Sequence, residues 1–175
     1  MKDALECIAQ TLFPHRSVSL TFLQLRLETK RLELAAWYPG DLPVDEQFCV
    51  DLSDPKENAY AKQAIESART WYLPYVNTDW AIGLATPSQP GRPVQCVLRR
   101  QGLWKRSARK NFRSLLVVPC VVHTGSKTWE PYGVLNVEER RRNAFSDSDF
   151  FCACIAANKI AQALAIYTAA KTKRK

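Results

Sequence analysis

Four aromatic residues, Trp71, Tyr72, Tyr75 and Trp80, fall within ten positions of one another. Rings at that density can stack on a flat ligand, with Asp79, Arg99 and Arg113 as polar anchors. These seven residues are the candidate ligand-binding set. Core packing is the competing use of every ring among them.

A second chemistry is written in charge. Seven of the fifteen residues from Arg99 to Arg113 are Lys or Arg, none is acidic, and Trp104 and Phe112 lie among them. Cations interleaved with rings suit a phosphate backbone with stacked bases, an acidic protein surface, or a lid over a pocket. A solvated basic face has the same composition. Nucleic acid is therefore an alternative partner and not the favoured one. Two smaller basic groups, Arg140 to Arg142 and Lys171 to Lys175, contribute to a net charge of +8.

Six cysteines, Cys7, Cys49, Cys96, Cys120, Cys152 and Cys154, show no C-x-x-C spacing, and there are only two histidines to complete a metal set. Buried thiols are the expectation for most of them. No cofactor or metal is expected, and no catalytic residue is assigned.

The elements that must position these groups follow from periodicity. Leu5, Ile8 and Leu12 predict a leading helix over 3–13, closed by Pro14. From Ser17 the period becomes two, and Leu23, Leu25 and Leu27, then Leu32 and Leu34, predict a β-hairpin turning near Thr29. Asp54-Pro55-Lys56-Glu57 carries a cap carboxylate, a first-turn proline and a glutamate three residues on, which starts a helix running towards Trp71. Trp71 to Val76 reads as extended, Thr86 to Pro93 as a loop, Gln95 to Leu98 as a short strand, and Leu103 to Phe112 as a basic helix or loop.

Leu115 to Val122 is apolar at both parities. It predicts a central strand covered on both faces, with Pro119 at a bulge or an edge-like position. Tyr132 to Glu138 is the next strand. Ser146 caps a final helix over 147–168, with Asp147 and Asp149 at the positive end of its dipole. Ile160, Leu164 and Tyr167 fall on one side of that helix and Phe151 and Ile155 on another, so it must pack against two things. The sheet is one. The leading helix or a second subunit is the other.

With 175 residues, 46% hydrophobic and 24% charged, the chain reads as one domain, too apolar for a disordered chain. The longest uninterrupted apolar run, Leu115 to Val122, is far short of the about 20 residues a membrane span needs, so no span is expected. The N-terminus has acidic residues and lacks the apolar stretch of a secretory signal. A cytoplasmic location is the expectation.

The order of these elements and three motifs resembles the GAF family. The motifs are Arg113-Ser114-Leu115-Leu116-Val117-Val118-Pro119, Tyr132-Gly133-Val134-Leu135-Asn136-Val137, and Phe145-Ser146-Asp147-Ser148-Asp149-Phe150 followed by Ile155 to Leu164. The resemblance covers most of the chain and is weakest from Ala81 to Asn111. It implies an α+β fold over residues 1–175, with a central antiparallel sheet of five or six strands across 17–138. The terminal helices pack on one face of that sheet. A covering segment, 54–112, closes a pocket on the other, and 169–175 is a basic tail. It further implies a non-catalytic sensor or regulatory domain that binds a small ligand, planar or anionic, or forms a homodimer through its terminal helices.

The specialised chemistries of the family fit less well. The cyclic-nucleotide signature matches at Phe145 and Asp149, but Glu138 and Glu139 stand where Asn-Lys is needed and Phe150 replaces its final Glu. No Cys-His dipeptide is present to hold a bilin, and no haem-ligand set is apparent. The free methionine sulfoxide reductases of this fold offer an enzymatic alternative, in which Cys96 and Cys120 would meet across the pocket under the influence of Arg99 and Arg113.

Overall fold

The computed structural model describes residues 1–14, 16–38, 48–54, 60–73, 82–84, 113–125 and 128–172, and of residues 82–84 the backbone alone. Helix α1 (Lys2–Leu12) buries Leu5 and Ala9, one turn apart. Strands β1 (Val18–Arg26) and β2 (Arg31–Tyr38) form the predicted hairpin, in whose turn Lys30 takes a φ of 51°. Strand β3 (Cys49–Asp51) extends the edge beyond β2. Helix α2 (Tyr60–Ser67) leads into β4 (Thr70–Leu73), which pairs with β5 (Ile82–Leu84). Strands β6 (Ser114–His123) and β7 (Trp129–Glu139) occupy the middle, and helix α3 (Asp147–Thr172) follows.

All pairings are antiparallel, in the order β3-β2-β1-β7-β6-β4-β5. The expected five or six strands become seven because β3 and β5, three residues each, are too short to show a period. Strand β6 lies between β7 and β4, and eight consecutive residues from Ser114 to Val121 are buried. This is the central strand expected from its apolar composition. Pro119 faces Val134 of β7, and the pairing of β4 with β6 stops at Val117, so the missing N–H of Pro119 costs no bond to β4.

Each face of the sheet has its own cover. Leu116, Val118 and Cys120 of β6, Leu135 and Val137 of β7, and Leu20 and Phe22 of β1 pack with Leu5, Ala9 and Phe13 before the sheet and Ala153, Ala157, Ile160 and Ala161 of α3. Leu115, Val117, Leu23, Val134, Trp71 and Leu73 pack with Tyr60, Ala61, Ala64 and Ile65, the buried side of α2. A bulge at Ala35 shifts the register, pairing Phe22 with Ala36 and Leu23 with Leu34. It sends Leu32 and Leu34 to the α2 face and Ala36 and Tyr38 to the other. Gly133 of β7 leaves no room for a side chain beside β1: an added Cβ would sit 2.2 Å from the Leu23 carbonyl oxygen and 2.9 Å from the Phe22 ring.

The start of α3 is fixed by a reciprocal cap. Ser146 donates its backbone N–H and its hydroxyl to the Asp149 carboxylate at 2.7 and 2.8 Å, and the Asp149 N–H returns to the Ser146 hydroxyl. Arg16, just past α1, joins this cap to the sheet. Its guanidinium lies 2.6 Å from Asp149, 3.6 Å from the buried Glu139 and within bonding distance of the Ala144 carbonyl, with the rings of Phe13 and Phe145 beside it.

Some expectations are corrected. The helix read as running towards Trp71 ends at Ser67, because Ala68 adopts a φ of 50° and Thr70 to Leu73 pair with the edge of β6. The final helix runs four residues further, to Thr172. By length and composition that helix is apolar enough to cross a membrane, although no long unbroken apolar run marks it; here its alanine-rich face lies against the sheet. The readings for residues 55–59, 74–81 and 85–112 lie outside the described residues.

Candidate functional site

Cross-strand register assembles a site that linear spacing does not show. One row crosses five strands on the α2 face: Trp37, Thr21, Asn136, Val117 and Trp71. The next row holds Ser19, Glu138, Leu115 and Leu73. At the centre of an otherwise apolar face, Ser19, Thr21, Asn136 and Glu138 therefore form a contiguous polar patch on β1 and β7. Strand spacing of about 4.8 Å puts a tryptophan backbone one strand from this patch on one side and two strands on the other.

The patch is underbonded. The Thr21 hydroxyl donates to Glu138 Oε1 at 3.2 Å, while the side-chain oxygen of Asn136 and the indole N–H of Trp71 are buried without a hydrogen-bond partner. Native proteins rarely leave such groups unsatisfied, because each costs about 1–3 kcal/mol. Burial pushes the Glu138 carboxyl up to about 7, offset in part by the Thr21 hydroxyl. Lys62, the buried cation of α2, is committed elsewhere: its ammonium donates to the Asp54 carbonyl at 2.7 Å and lies 3.9 Å from Glu66.

The structure divides the seven sequence candidates. Trp71, 6% exposed, faces α2, with its ring centroid 6.0 Å from that of Tyr60. Tyr72 is its neighbour on a strand and so points to the opposite face, edge-on to Phe145. The two rings cannot stack on one ligand, which corrects the reading of Trp71 and Tyr72 as a single cluster. Arg113 is exposed just before β6, and its backbone N–H donates to the Glu139 carbonyl at 2.8 Å, bringing its backbone beside that of Arg140. Tyr75, Asp79, Trp80 and Arg99 lie outside the described residues.

Among the described residues the thiols do not converge on this face. Cys120 belongs to the cluster beneath α1 and α3, is fully buried, and burial pushes its thiol far above the ordinary range. Cys154 of α3 is raised to about 11 by burial, and its sulfur is 3.5 Å from the Thr70 hydroxyl. A thiol needs to ionise to attack sulfur, and Cys120 is held neutral on the wrong side of the sheet. Cys96 is outside the described residues. Among the described residues no group of three His, Cys, Asp or Glu side chains is arranged to hold a metal.

Thr21 and Asn136 escaped the sequence reading as site residues, and Glu138 entered it only as a departure from the cyclic-nucleotide signature. One signal was available: Asn136 interrupts Val134-Leu135-Asn136-Val137 at the parity that also carries Glu138.

No family model matches the chain, and no curated protein matches it. Solved structures do. The GAF domain of a two-component sensor histidine kinase from Bacillus halodurans superposes with a TM-score of 0.57 at 18% identity, covering 96% of this chain and 97% of that one. The phycocyanobilin-bound GAF domain of a cyanobacterial phytochrome gives 0.60 at 14% identity, covering 90% and 78%. The type II free methionine-R-sulfoxide reductase from Thermoplasma acidophilum gives 0.56 at 17% identity, covering 93% and 87%. With its seven-stranded antiparallel sheet, the terminal helices behind it and α2 in front, this chain has a GAF-like fold.

Proposed function

We propose that the chain is a non-catalytic sensor domain that binds a small molecule on the α2 face of its sheet, over Thr21, Asn136, Glu138 and Trp71. The observation that carries this reading is the polar patch itself, with two buried and unpaired hydrogen-bonding atoms on a face otherwise built for packing. A ligand satisfying both recovers a cost that the free protein bears. The burial of Cys120 away from this face weighs against the thiol-reductase alternative.

The test is thermal unfolding against a panel of metabolites and nucleotides. A member present at about a hundred times its dissociation constant stabilises by about 2.7 kcal/mol, enough to raise the melting temperature by several degrees. The shift is expected to vanish in Asn136→Leu. A panel without any shift, together with unmoved amide resonances at Thr21, Asn136 and Glu138, overturns the reading.

We also propose that two copies pair through α3. Phe151, Ile155 and Ile166 are exposed along one stripe of this helix, with Tyr167 beside it, and Phe151 and Ile166 are 54% and 72% exposed. Sedimentation is expected to show a dimer that Ile155→Glu disperses. A wild-type monomer at high concentration removes the proposal.

A further inference from the structure

Resting on that reading of the α2 face, we propose that its ligand docks on the Glu138–Asn136 patch through a planar nitrogen-donor group, such as an amidine, a guanidine or an amino-substituted heterocycle, and not through an anion. The chemistry of the patch sets this polarity. Glu138 offers carboxylate oxygens and Asn136 an unpaired amide oxygen, both acceptors. The Thr21 hydroxyl proton is spent on Glu138, which leaves its oxygen as a third acceptor.

Of the described cations nearest the patch, Arg113 and Arg140 are exposed beyond the ends of β6 and β7, and the buried or part-buried ones are engaged elsewhere. Lys62 serves Asp54 and Glu66, and Arg16 and Arg141 serve Glu139, which points to the opposite face. Above about pH 7, where Glu138 is ionised, an anion seated here would meet a carboxylate in a partly dehydrated setting, where like charges repel strongly. A group with two N–H donors in one plane matches a carboxylate edge on, and forms the stronger charge-assisted pair of bonds.

The rest of the row shapes the rest of the ligand. Val117 separates Asn136 from Trp71, and two strand spacings make this roughly 10 Å. The indole N–H is the donor available at that far end. Val117 and Trp71 are packed under α2, so a ligand with its nitrogen-donor head over β7 reaches β6 with an apolar body and β4 with an acceptor only where α2 shifts to admit it. The planar option of the sequence reading is kept, and the anionic one is replaced.

Three probes of the same shape test it: benzamidine, benzamide and benzoate, titrated at pH 7.5 into the full chain labelled with nitrogen-15. Benzamidine is expected to move the amides of Thr21, Asn136 and Glu138 with roughly millimolar affinity, as befits a probe this small. Benzamide should bind about tenfold more weakly, and benzoate not at all. Glu138→Gln and Asn136→Val, both checked for an unchanged fold by circular dichroism, should each weaken benzamidine about tenfold. Benzoate moving those amides as benzamidine does overturns the donor assignment, as does benzamidine binding unchanged in both variants. Absence of benzamidine shifts overturns it too. In that last case the metabolite panel separates the failures: a response there leaves the face a ligand site of another polarity, and silence removes both readings.

Discussion

Replacing Arg16 with alanine is expected to destabilise the protein by about 3 kcal/mol, read as a lowered urea midpoint at constant slope. The side chain is the common partner of three groups from separate parts of the chain: Glu139 at the end of β7, the Ala144 carbonyl in the following turn, and Asp149 in the cap of α3. Glu139 is 3% exposed, so removal of Arg16 leaves a buried carboxylate with Arg141, a highly exposed partner 3.5 Å away, as its remaining ion pair. The loss is mostly the cost of that stranded charge, and less the worth of the bonds. It follows that Glu139→Gln in the Arg16→Ala background should restore part of the stability, whereas Arg16→Lys should recover little, since one ammonium cannot span three acceptors. A loss below about 1 kcal/mol in the single variant would place Arg16 among ordinary surface ion pairs and sink the idea.

The contrast between Arg16 and the α2-face patch explains what could be read from residues alone. Elements were legible where one period ran uninterrupted. Leu23, Leu25, Leu32 and Leu34 marked the hairpin, and the run from Leu115 to Val122 marked the strand buried on both faces. The cap of α3 was legible because Ser146 and Asp149 act over three residues. The patch was not, because its two halves sit more than a hundred positions apart and meet only through the pairing of β1 with β7. Adjacent aromatics misled for a related reason. Trp71 and Tyr72 look like one cluster in a list of letters, yet a strand, as the segment from Trp71 was read, sends neighbours to opposite faces, and the helix before it was carried too close to it. The left-handed turn at Ala68, which decides the matter, carries no glycine to announce it.

Glu138→Gln is expected to stabilise the free protein by about 1–3 kcal/mol at pH 8 and to leave it nearly unchanged at pH 4.5. The carboxyl has an ordinary value of 4.5 and is raised by burial to about 7 in the folded chain. Below pH 4.5 both states hold the proton, and glutamine differs little from glutamic acid. As the pH climbs from 4.5 the unfolded chain sheds its proton first, so unfolding becomes easier. Near pH 7 the folded chain ionises as well, and the penalty levels off. Asp149 behaves oppositely: burial raises its carboxyl, but hydrogen bonds from Ser146 and Arg16 outweigh this and hold it below 3.8, so its contribution is lost only on the acid side of that value. Urea midpoints of wild type and variant, measured side by side from pH 4 to pH 9, cancel Asp149 and every other group common to both. Their difference should open between pH 4.5 and 7 and stay constant beyond. Parallel curves across that window would mean that Glu138 is as well solvated folded as unfolded, and would deprive the patch of the unmet demand from which its ligand was inferred.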